Sequence, residues 1–374
     1  MRQFDRPSGV LRVRPRLDAK PWGGDRLAAF GFSLPGGEPL GEALLSHGDA
    51  LVEVGGATMT LAEAVAANPD AYLGPDGARA TAGGALLPVL AKVIDGRDDL
   101  SVQVHPDDAL AREQGEATGK TEAWHVLDAE PGAVLYLGLA DDVAPDDFFA
   151  AARRGEPVAT MLRTVPAVPG STVVLPAGAV HALGRGVVLY EIQQPSNTTY
   201  RLWDWGRVGP DGRSRDLHHD LGQRAARAGL RPEPRPPLVV AGGAGARREL
   251  LAATRSFALE RLVLFGGGAV DFAPVGSPQV LTCVAGACHL VCDGDAERLA
   301  PGGTVIVPAG AGGTLASADG ATVMRGWVPD LWRDVVGPAR AAGHPDAAIA
   351  ELAGELDDVR SALGPTPEPF GGRC

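Results

Sequence analysis

Lysine is scarce in this sequence. Of its 34 lysine and arginine residues, only Lys20, Lys92 and Lys120 are lysines. Arginine supplies the positive charge everywhere else, although a planar guanidinium cannot replace a compact ammonium at every kind of site. Three lysines kept against so strong a bias therefore indicate positions with a specific role, with chance retention as the alternative.

Cysteine is also rare, and long apolar runs are absent. Cys283, Cys288, Cys292 and Cys374 lie late in the chain and form no CxxC pair of the kind that binds zinc. We expect them to be small buried side chains. The N-terminus lacks the apolar core of a signal peptide, so the sequence predicts a reduced, cytoplasmic location. No run approaches the roughly 18 apolar residues of a membrane span.

Positive charge as a whole is in deficit. The chain has 46 acidic and 34 basic residues, a formal net charge of −12. A nucleic-acid-binding surface needs a basic stripe, so this balance argues against such a partner. A small phosphorylated ligand needs only a few local cations and stays compatible with it. The oligomeric state is not determined by these features.

Glycine and proline, by contrast, are abundant, at 51 and 31 residues of 374. They recur roughly every eight to twelve residues, which is typical of short strands joined by turns. The length suffices for two ordinary domains or one elaborated one. The predicted strands are 11–15, 50–54, 89–95, 100–106, 133–139, 171–178, 187–194 and 198–205, and the predicted helices are 61–73, 145–156, 214–230 and 346–364.

An internal repeat is the strongest organisational signal. Residues 170–181 read G-STVVL-P-A-G-AV-H, and residues 302–313 read G-GTVIV-P-A-G-AG-G. Each copy predicts a turn, a buried strand and a second tight turn, as the mouth of a β-barrel requires. The pattern resembles the second motif of the cupin superfamily. A first barrel would then carry His181 as a ligand, and a second would have Gly313 in its place; two unrelated hairpins are the alternative.

Two histidines, a carboxylate and an amide are candidates for a metal site. Gln103 and His105 are two residues apart on a predicted strand and therefore point to one face. Glu122 and His181 follow downstream. Nitrogen and oxygen ligands of this kind suit a divalent cation with positions left open for water or substrate. Zinc is favoured, and manganese, cobalt and iron remain open.

A further group lies around the strand at 187–194. Glu191 and Gln193 share one face of that strand. Arg201 is a fixed cation that could face a phosphate or a developing oxyanion, with a structural ion pair as the alternative.

Six separated segments resemble, in order, the type I phosphomannose isomerases of the cupin superfamily. These segments are 20–25 (KPWGGD), 92–108 (KVIDGRDDLSVQVHPDD), 119–124 (GKTEAW), 175–181 (LPAGAVH), 191–207 (EIQQPSNTTYRLWDWGR) and 215–218 (RDLH). The resemblance runs from about residue 18 to 220, and more loosely to about 330. It implies a mainly β fold of two cupin (jelly-roll) β-barrels with a few helices, the first metal-binding and the second degenerate.

Together with the Pro-rich stretch RPEPRPP, this resemblance suggests a domain division. Residues 1–230 would form a catalytic cupin domain with helical insertions, and 231–238 a linker. Residues 239–330 would form a second, metal-free barrel, and 331–374 a helical extension and tail.

The resemblance also implies an activity: metal-dependent interconversion of mannose 6-phosphate and fructose 6-phosphate through an enediol or enediolate. One Zn²⁺ per chain would be bound by Gln103, His105, Glu122 and His181. The other implied site residues are Arg201, Lys120 and Glu191 for catalysis and Ser101 and Lys92 for phosphate recognition. The choice of base between Lys120 and Glu191 stays open.

Three readings compete with this activity. They are an isomerase of another sugar or sugar phosphate, a non-catalytic sugar-binding cupin, and a metal-dependent oxygenase. One departure from the family concerns residues 41–46 (GEALLS), which lack the family's tryptophan and second glutamate and leave the role of Glu42 open. His125 and His218 lie near the motifs, and we expect each to be structural.

Overall fold

The computed structural model describes residues 9–33, 38–81, 84, 86–208 and 212–364, so Cys374 lies outside the described residues. The fold is mainly β. The strands are, in chain order, β1 (Leu11–Arg14), β2 (Arg16–Asp18), β3 (Glu42–Leu44), β4 (Leu51–Val54), β5 (Ala57–Thr60), β6 (Leu90–Gly96), β7 (Val102–Val104), β8 (Glu122–Ala129), β9 (Val134–Leu139), β10 (Leu162–Pro166), β11 (Thr172–Leu175), β12 (His181–Leu183), β13 (Val187–Gln193), β14 (Tyr200–Trp203), β15 (Leu238–Gly242), β16 (Ala246–Ala253), β17 (Ala258–Leu264), β18 (Gly268–Phe272), β19 (Gln279–Gly286), β20 (Cys288–Cys292), β21 (Asp295–Leu299), β22 (Thr304–Val307), β23 (Gly313–Ser317) and β24 (Ala321–Trp327).

Short helices connect or cover these strands. They are α1 (Leu61–Ala67), α2 (Pro69–Ala80), α3 (Asp108–Glu113), α4 (Pro145–Arg153), α5 (His219–Ala225), α6 (Gly337–Ala341), α7 (Asp346–Ala350) and α8 (Asp358–Leu363), with 3-10 turns at Arg26–Phe30, Ala159–Met161 and Glu351–Ala353 and a π-helical turn at Leu331–Val336. No helix in the described part of the chain is long and apolar enough to cross a membrane.

The strands form four antiparallel sheets. Their strand orders are β10-β9-β12-β7-β14, β11-β8-β13-β6-β3-β2, β15-β16-β17-β24-β19-β22-β1-β4-β5 and β18-β23-β20-β21. Buried side chains of β9 and β12 pack against those of β8, β11 and β13, so the five-stranded and six-stranded sheets face each other. The nine-stranded sheet packs on the other side of the six-stranded one and carries the four-stranded sheet on its outer face.

The nine-stranded sheet takes strands from both ends of the chain. β1 pairs with β22 in the register Leu11↔Ile306, and it pairs with β4 on its other side. The Pro-rich stretch is extended here, and Arg235 forms a bridge with Thr172 of β11. Most strands of the nine-stranded sheet follow residue 238, and β1, β4 and β5, which precede residue 61, complete it.

The two copies of the sequence repeat have the same local conformation. Gly170 and Gly302 have φ of +90° and +82°, a region that side chains other than glycine rarely adopt. β11 and β22 follow these turns, and β12 and β23 begin at His181 and Gly313. A Cβ at Gly313 would lie 2.6 Å from the carbonyl oxygen of Val291, so this position has no room for a histidine.

The predicted strands agree with the structure, but three of the predicted helices differ. One helix over 346–364 is wrong: Gly354, with φ of +59°, separates the 3-10 turn at Glu351–Ala353 from α8. A Cβ at Gly354 would lie 3.2 Å from that of Val174, so the chain bends where it passes β11. The helix predicted over 214–230 is restricted to α5, and that over 61–73 is split between α1 and α2.

The cysteines of the nine- and four-stranded sheets behave as small core side chains. Cys283, Cys288 and Cys292 are buried and free, and they pack in the cluster between these two sheets. The expectation made for them from the sequence is confirmed at these positions.

Candidate active site

The candidate site lies between the five-stranded and six-stranded sheets. β7 and β12 are neighbours in the first of these, and their register places Gln103 opposite His181. His105 follows the end of β7, and Glu122 begins β8 in the facing sheet. Two facing sheets thus bring together four residues that are far apart in the sequence.

Three of these residues form a compact, buried cluster. Ligand atoms of His105, Glu122 and His181 all lie within 4.8 Å of one another. Nε2 of His105 is 3.4 Å from Glu122 Oε2, and Nε2 of His181 is 3.3 Å from Glu122 Oε1. The carboxylate therefore lies between the two imidazoles.

The protonation states in this cluster suit a bound cation. His105 Nδ1 is 3.0 Å from the carbonyl oxygen of Thr198, and His181 Nδ1 is 2.9 Å from that of Ala179. A carbonyl can only accept, so each Nδ1 carries the hydrogen, and in the neutral ring Nε2 is the nitrogen left to bind a cation. Burial and the nearby Lys120 ammonium lower the pKa of His105 to about 3, which keeps its ring neutral.

Glu122 is a buried carboxylate that needs a cation. Its Oε1 accepts no hydrogen bond from a described residue, and its Oε2 lies against the Lys120 ammonium. Burial alone would raise its pKa, but the Lys120 ammonium lowers it well below the usual value. Lys120 Nζ lies 2.9 Å from Glu122 Oε2 and 3.2 Å from His105 Nε2, so an ammonium stands where a cation is favoured. A carboxylate and two imidazole lone pairs fit a divalent metal ion.

Gln103 lies beside the cluster with its amide turned away. Its Nε2 is 3.2 Å from His181 Nε2, and its Oε1 is 3.3 Å from the hydroxyl oxygen of Ser101, which donates to it. A half-turn of the amide exchanges the positions of the two atoms. Gln103 can therefore offer an oxygen to this site only after that rotation.

A cavity of about 420 Å³ opens above the cluster. The residues predicted for catalysis and phosphate recognition all line it: Lys92, Ser101, Lys120, Glu191 and Arg201. The third lysine, Lys20, lines it as well, so the lysines kept against the compositional bias meet in one place. The structure thus brings together every site residue predicted from the sequence.

One wall of the cavity carries alternating charges. Glu191 Oε1 is 3.2 Å from Lys92 Nζ, which lies 3.7 Å from Glu42 Oε1. Glu42 Oε2 is in turn 2.9 Å from Lys20 Nζ. Burial alone would lower the pKa of Lys92, but Glu191 and Glu42 raise it above the usual value, so Lys92 stays charged. Sequence reasoning singled out Lys20 through the rarity of lysine but gave it no role in the site, and it left the role of Glu42 open.

The opposite wall is formed around β14. Arg201 Nη1 donates to the carbonyl oxygen of Asp216 at 2.9 Å, and its backbone N–H donates to Nδ1 of His218 at 3.2 Å. His218 and Arg215 also line the cavity. Sequence reasoning named Arg201 but gave no role to Arg215.

His125 lies on the other face of β8. Its Nδ1 is 2.8 Å from the hydroxyl oxygen of Thr172, and its Nε2 is 3.4 Å from Nη1 of Arg261 in the nine-stranded sheet. It does not line the cavity. The expectation of a structural role agrees with this position.

Comparisons with known proteins place this arrangement in a family. The family described as phosphomannose isomerase type I, catalytic domain, matches residues 10–129. The chain is 36% identical over 215 residues to the probable mannose-6-phosphate isomerase GmuF of Bacillus subtilis, covering 56% of this chain and 65% of that protein. It is 33% identical over 230 residues to the putative mannose-6-phosphate isomerase YvyI of the same organism, covering 57% of this chain and 67% of that protein.

Solved structures agree with these matches. The crystal structure of the mannose 6-phosphate isomerase from Bacillus subtilis superposes with a TM-score of 0.73 at 25% identity, over 85% of this chain and 99% of that one. A zinc-bound mannose 6-phosphate isomerase has the same fold, with a TM-score of 0.64 at 16% identity over 86% of this chain and 99% of that one. The chain belongs to the type I phosphomannose isomerase family.

Proposed function

We propose that this chain is a metal-dependent aldose–ketose isomerase that interconverts mannose 6-phosphate and fructose 6-phosphate. The names of its relatives supply the reaction, although the first of them is matched over only 65% of its length. The observation that carries the proposal is the buried His105–Glu122–His181 cluster beneath a cavity lined by Lys120, Glu191 and Arg201. Proton transfer between adjacent carbons needs a base, cations for the developing oxyanion and a group that polarises the carbonyl. Candidates for all three therefore lie in one place.

In this proposal the first pair of facing sheets is the metal-binding cupin barrel and the second pair is a degenerate one. The division into residues 1–230, 231–238, 239–330 and 331–374 belongs to the same proposal, with β1, β4 and β5 of the first segment joining a sheet of the second barrel. Support comes from the shared conformation of the two repeats and from the lack of room for a histidine at Gly313. A cytoplasmic location remains part of the proposal, with the free buried cysteines as its support.

One Zn²⁺ per chain would be held by His105, Glu122 and His181, with Gln103 as a fourth ligand after its amide turns. When bound, the ion supplies Lewis-acid polarisation of a substrate oxygen. The Lys120 ammonium has to leave its place between Glu122 and His105 for this to happen. Its charge then becomes available to the cavity that it lines.

Glu191 is the base in this proposal. Its Oε2 accepts from Trp124 Nε1 at 2.8 Å and its Oε1 faces the charged Lys92, so the carboxylate is held in one orientation. It removes the proton from C2 of the aldose, and the electron pair of the broken C–H bond forms the C1=C2 bond of the enediolate. Return of the proton to C1, with loss of the proton on O2, gives the ketose.

Arg201 and Lys120 act on the oxygens. As the C1 carbonyl bond opens, negative charge develops on O1, where a preorganised cation stabilises it. Arg201 is half-buried, and its Nη1 is held by the hydrogen bond to the carbonyl oxygen of Asp216, so the guanidinium needs little reorganisation. Lys120 donates to or accepts from the oxygens as O1 gains and O2 loses a proton. Lys120 and Glu191 are buried, which limits the access of water to them.

A coupled assay for fructose 6-phosphate formation from mannose 6-phosphate tests the proposal. The protein is assayed as isolated, after chelation, and after zinc is restored. We expect activity that chelation removes and zinc recovers, with Arg14→Ala as a folded control outside the cavity. No isomerisation by folded, zinc-loaded protein would overturn the substrate assignment.

A further inference from the structure

The two walls of the cavity differ in charge balance. On the wall formed by β3, β6 and β13, each lysine lies within 4 Å of carboxylates: Lys20 is 2.9 Å from Glu42, and Lys92 is 3.2 Å from Glu191. On the opposite wall, Arg201 makes no ion pair with a carboxylate of the described residues, and its buried Nε has no hydrogen-bond partner there. Positive charge is thus balanced on one side and unbalanced on the other.

The buried carboxylate of Asp204 forms ion pairs with two other arginines of this wall, Arg207 and Arg215. Asp204 binds Arg215 through two hydrogen bonds, Nε to Oδ2 at 2.7 Å and Nη2 to Oδ1 at 2.5 Å. Arg207 Nη1 shares Oδ1 at 3.2 Å. Among the neighbouring acids, Asp216 is exposed and meets Arg201 through its backbone carbonyl. Two guanidinium groups therefore share one fully engaged carboxylate, and Arg201 makes no ion pair with it among the described contacts.

This surplus charge lies at the Ser101 end of the cavity. Trp205 Nε1 donates to the carbonyl oxygen of Leu100 at 2.7 Å, and Arg207 donates to that of Asp99. The turn that carries Asp204 is thereby attached to the residues that lead into Ser101. Ser101, Arg201 and Arg215 line the same cavity.

We propose that Arg215, oriented by Asp204, binds the phosphate group of the sugar together with Arg201 and thereby makes the site specific for phosphorylated sugars. This inference rests on the proposed function and deepens it. Guanidinium groups match the planar pairs of oxygens on a phosphate, and a dianion needs more than one of them. Nη1 of Arg215 makes no hydrogen bond to a described residue and is available to a ligand. Lys92 already lies between the carboxylates of Glu42 and Glu191, so we assign it to the orientation of Glu191 and not to the phosphate.

The assignment gives Asp204 a positioning role. Without the Asp204 carboxylate, the Arg215 side chain would have several orientations. Substrate binding would then include the entropic cost of ordering that side chain. Arg215→Lys keeps the charge but cannot make the paired contact with Asp204. The two positions should therefore change affinity for the phosphate more than they change the proton-transfer step.

The test compares Arg215→Ala, Arg215→Lys and Asp204→Asn with wild type, using Arg14→Ala as a control that removes an exposed arginine elsewhere. Steady-state assays give kcat and KM for mannose 6-phosphate, and calorimetry gives Kd for inorganic phosphate with zinc-loaded protein. We expect Arg215→Ala to raise both KM and Kd by about 10- to 100-fold while kcat changes less than about threefold. Arg215→Lys and Asp204→Asn should fall between this variant and wild type.

Unchanged KM and Kd in folded Arg215→Ala would overturn the assignment. Loss of kcat, bound zinc and fold together in Asp204→Asn would overturn the positioning role of Asp204. Arg215→Lys would still test the role of the arginine. A third outcome separates the two proposals. If the wild-type protein binds phosphate and Arg215→Ala does not, but the wild type does not isomerise the sugar, the phosphate site is supported and the proposed function is overturned.

Discussion

The indole nitrogen of Trp124 donates a 2.8 Å hydrogen bond to Oε2 of Glu191. The same ring meets His181 edge-on, with 5.2 Å between the ring centroids. One buried side chain therefore contacts both the proposed base and a proposed metal ligand. The orientation of Glu191 and the position of the metal cluster are thus connected through a single residue.

Trp124→Phe should separate these two contacts. Phenylalanine keeps an aromatic ring against His181 but removes the N–H, which leaves Glu191 with Lys92 alone. Because misplacement of a catalytic group by a fraction of an ångström is costly, we expect kcat to fall roughly tenfold. Zinc content, measured by atomic absorption, should stay at the wild-type level. A normal kcat, or loss of zinc without loss of base function, would contradict this role.

Zinc should stabilise the fold through Glu122. A ligand present at about 100 times its Kd adds about 2.7 kcal/mol to the free energy of unfolding when it binds only the folded state. Glu122→Gln removes the negative charge between two imidazoles while keeping the shape, so zinc should add less than about 0.5 kcal/mol to this variant at the same concentration. Urea unfolding with and without zinc measures both values. Equal stabilisation of the two proteins would place the metal elsewhere.

Arg325 should be important for the stability of the nine-stranded sheet. It is fully buried, pairs with Glu260 at 2.8 Å, donates to Gln279 at 2.6 Å and lies over the ring of Trp327. Arg325→Met leaves a buried carboxylate with less compensation, which costs about 3–5 kcal/mol. Urea unfolding of the metal-free protein measures this loss, and Arg14→Ala, in an exposed pair, should change stability by less than about 0.5 kcal/mol.

His125 should make the protein less stable in mild acid. Burial and the nearby Arg261 lower its folded-state pKa to about 3, against an ordinary value near 6.5. Below about pH 6.5 the unfolded chain binds a proton that the folded chain does not, so stability falls as pH falls, by up to about 1.4 kcal/mol per pH unit. His125→Asn, followed by urea unfolding between pH 7 and 5, should show a shallower slope. An unchanged slope would mean that His125 is protonated in the folded state.

Much of the candidate site could be predicted because its information is local. Alternation along β7 predicts which face carries Gln103, and the repeat identifies His181 by its position after a tight turn. A rare residue type marked Lys92 and Lys120 before any contact was known. Strand periodicity and turn chemistry are contained in segments of a few residues, and the scarcity of lysine is read from the whole sequence, so none of these signals needs a tertiary contact.

Helix ends were predicted less well because their limits depend on what the chain meets. The segment 346–364 has a helical pattern throughout, yet it is divided at Gly354, where the chain passes Val174 of β11. The helix predicted over 214–230 covers only α5 for a related reason, since its N-terminal residues extend along β14 and bind Arg201 through Asp216 and His218. Both neighbours, Val174 and Arg201, lie outside the segment whose helix was predicted.

The sequence by itself determined the mainly β character, the repeat, the likeness to the family and the identity of the cavity's principal side chains. Only the tertiary structure decided which of the charged side chains form ion pairs with each other. Glu42 lies between Lys92 and Lys20, and Asp204 binds Arg215, whereas Arg201 has no carboxylate partner among the described residues. Coulomb energy depends on distances of a few ångströms between groups far apart in the chain, and those distances exist only once the sheets have packed.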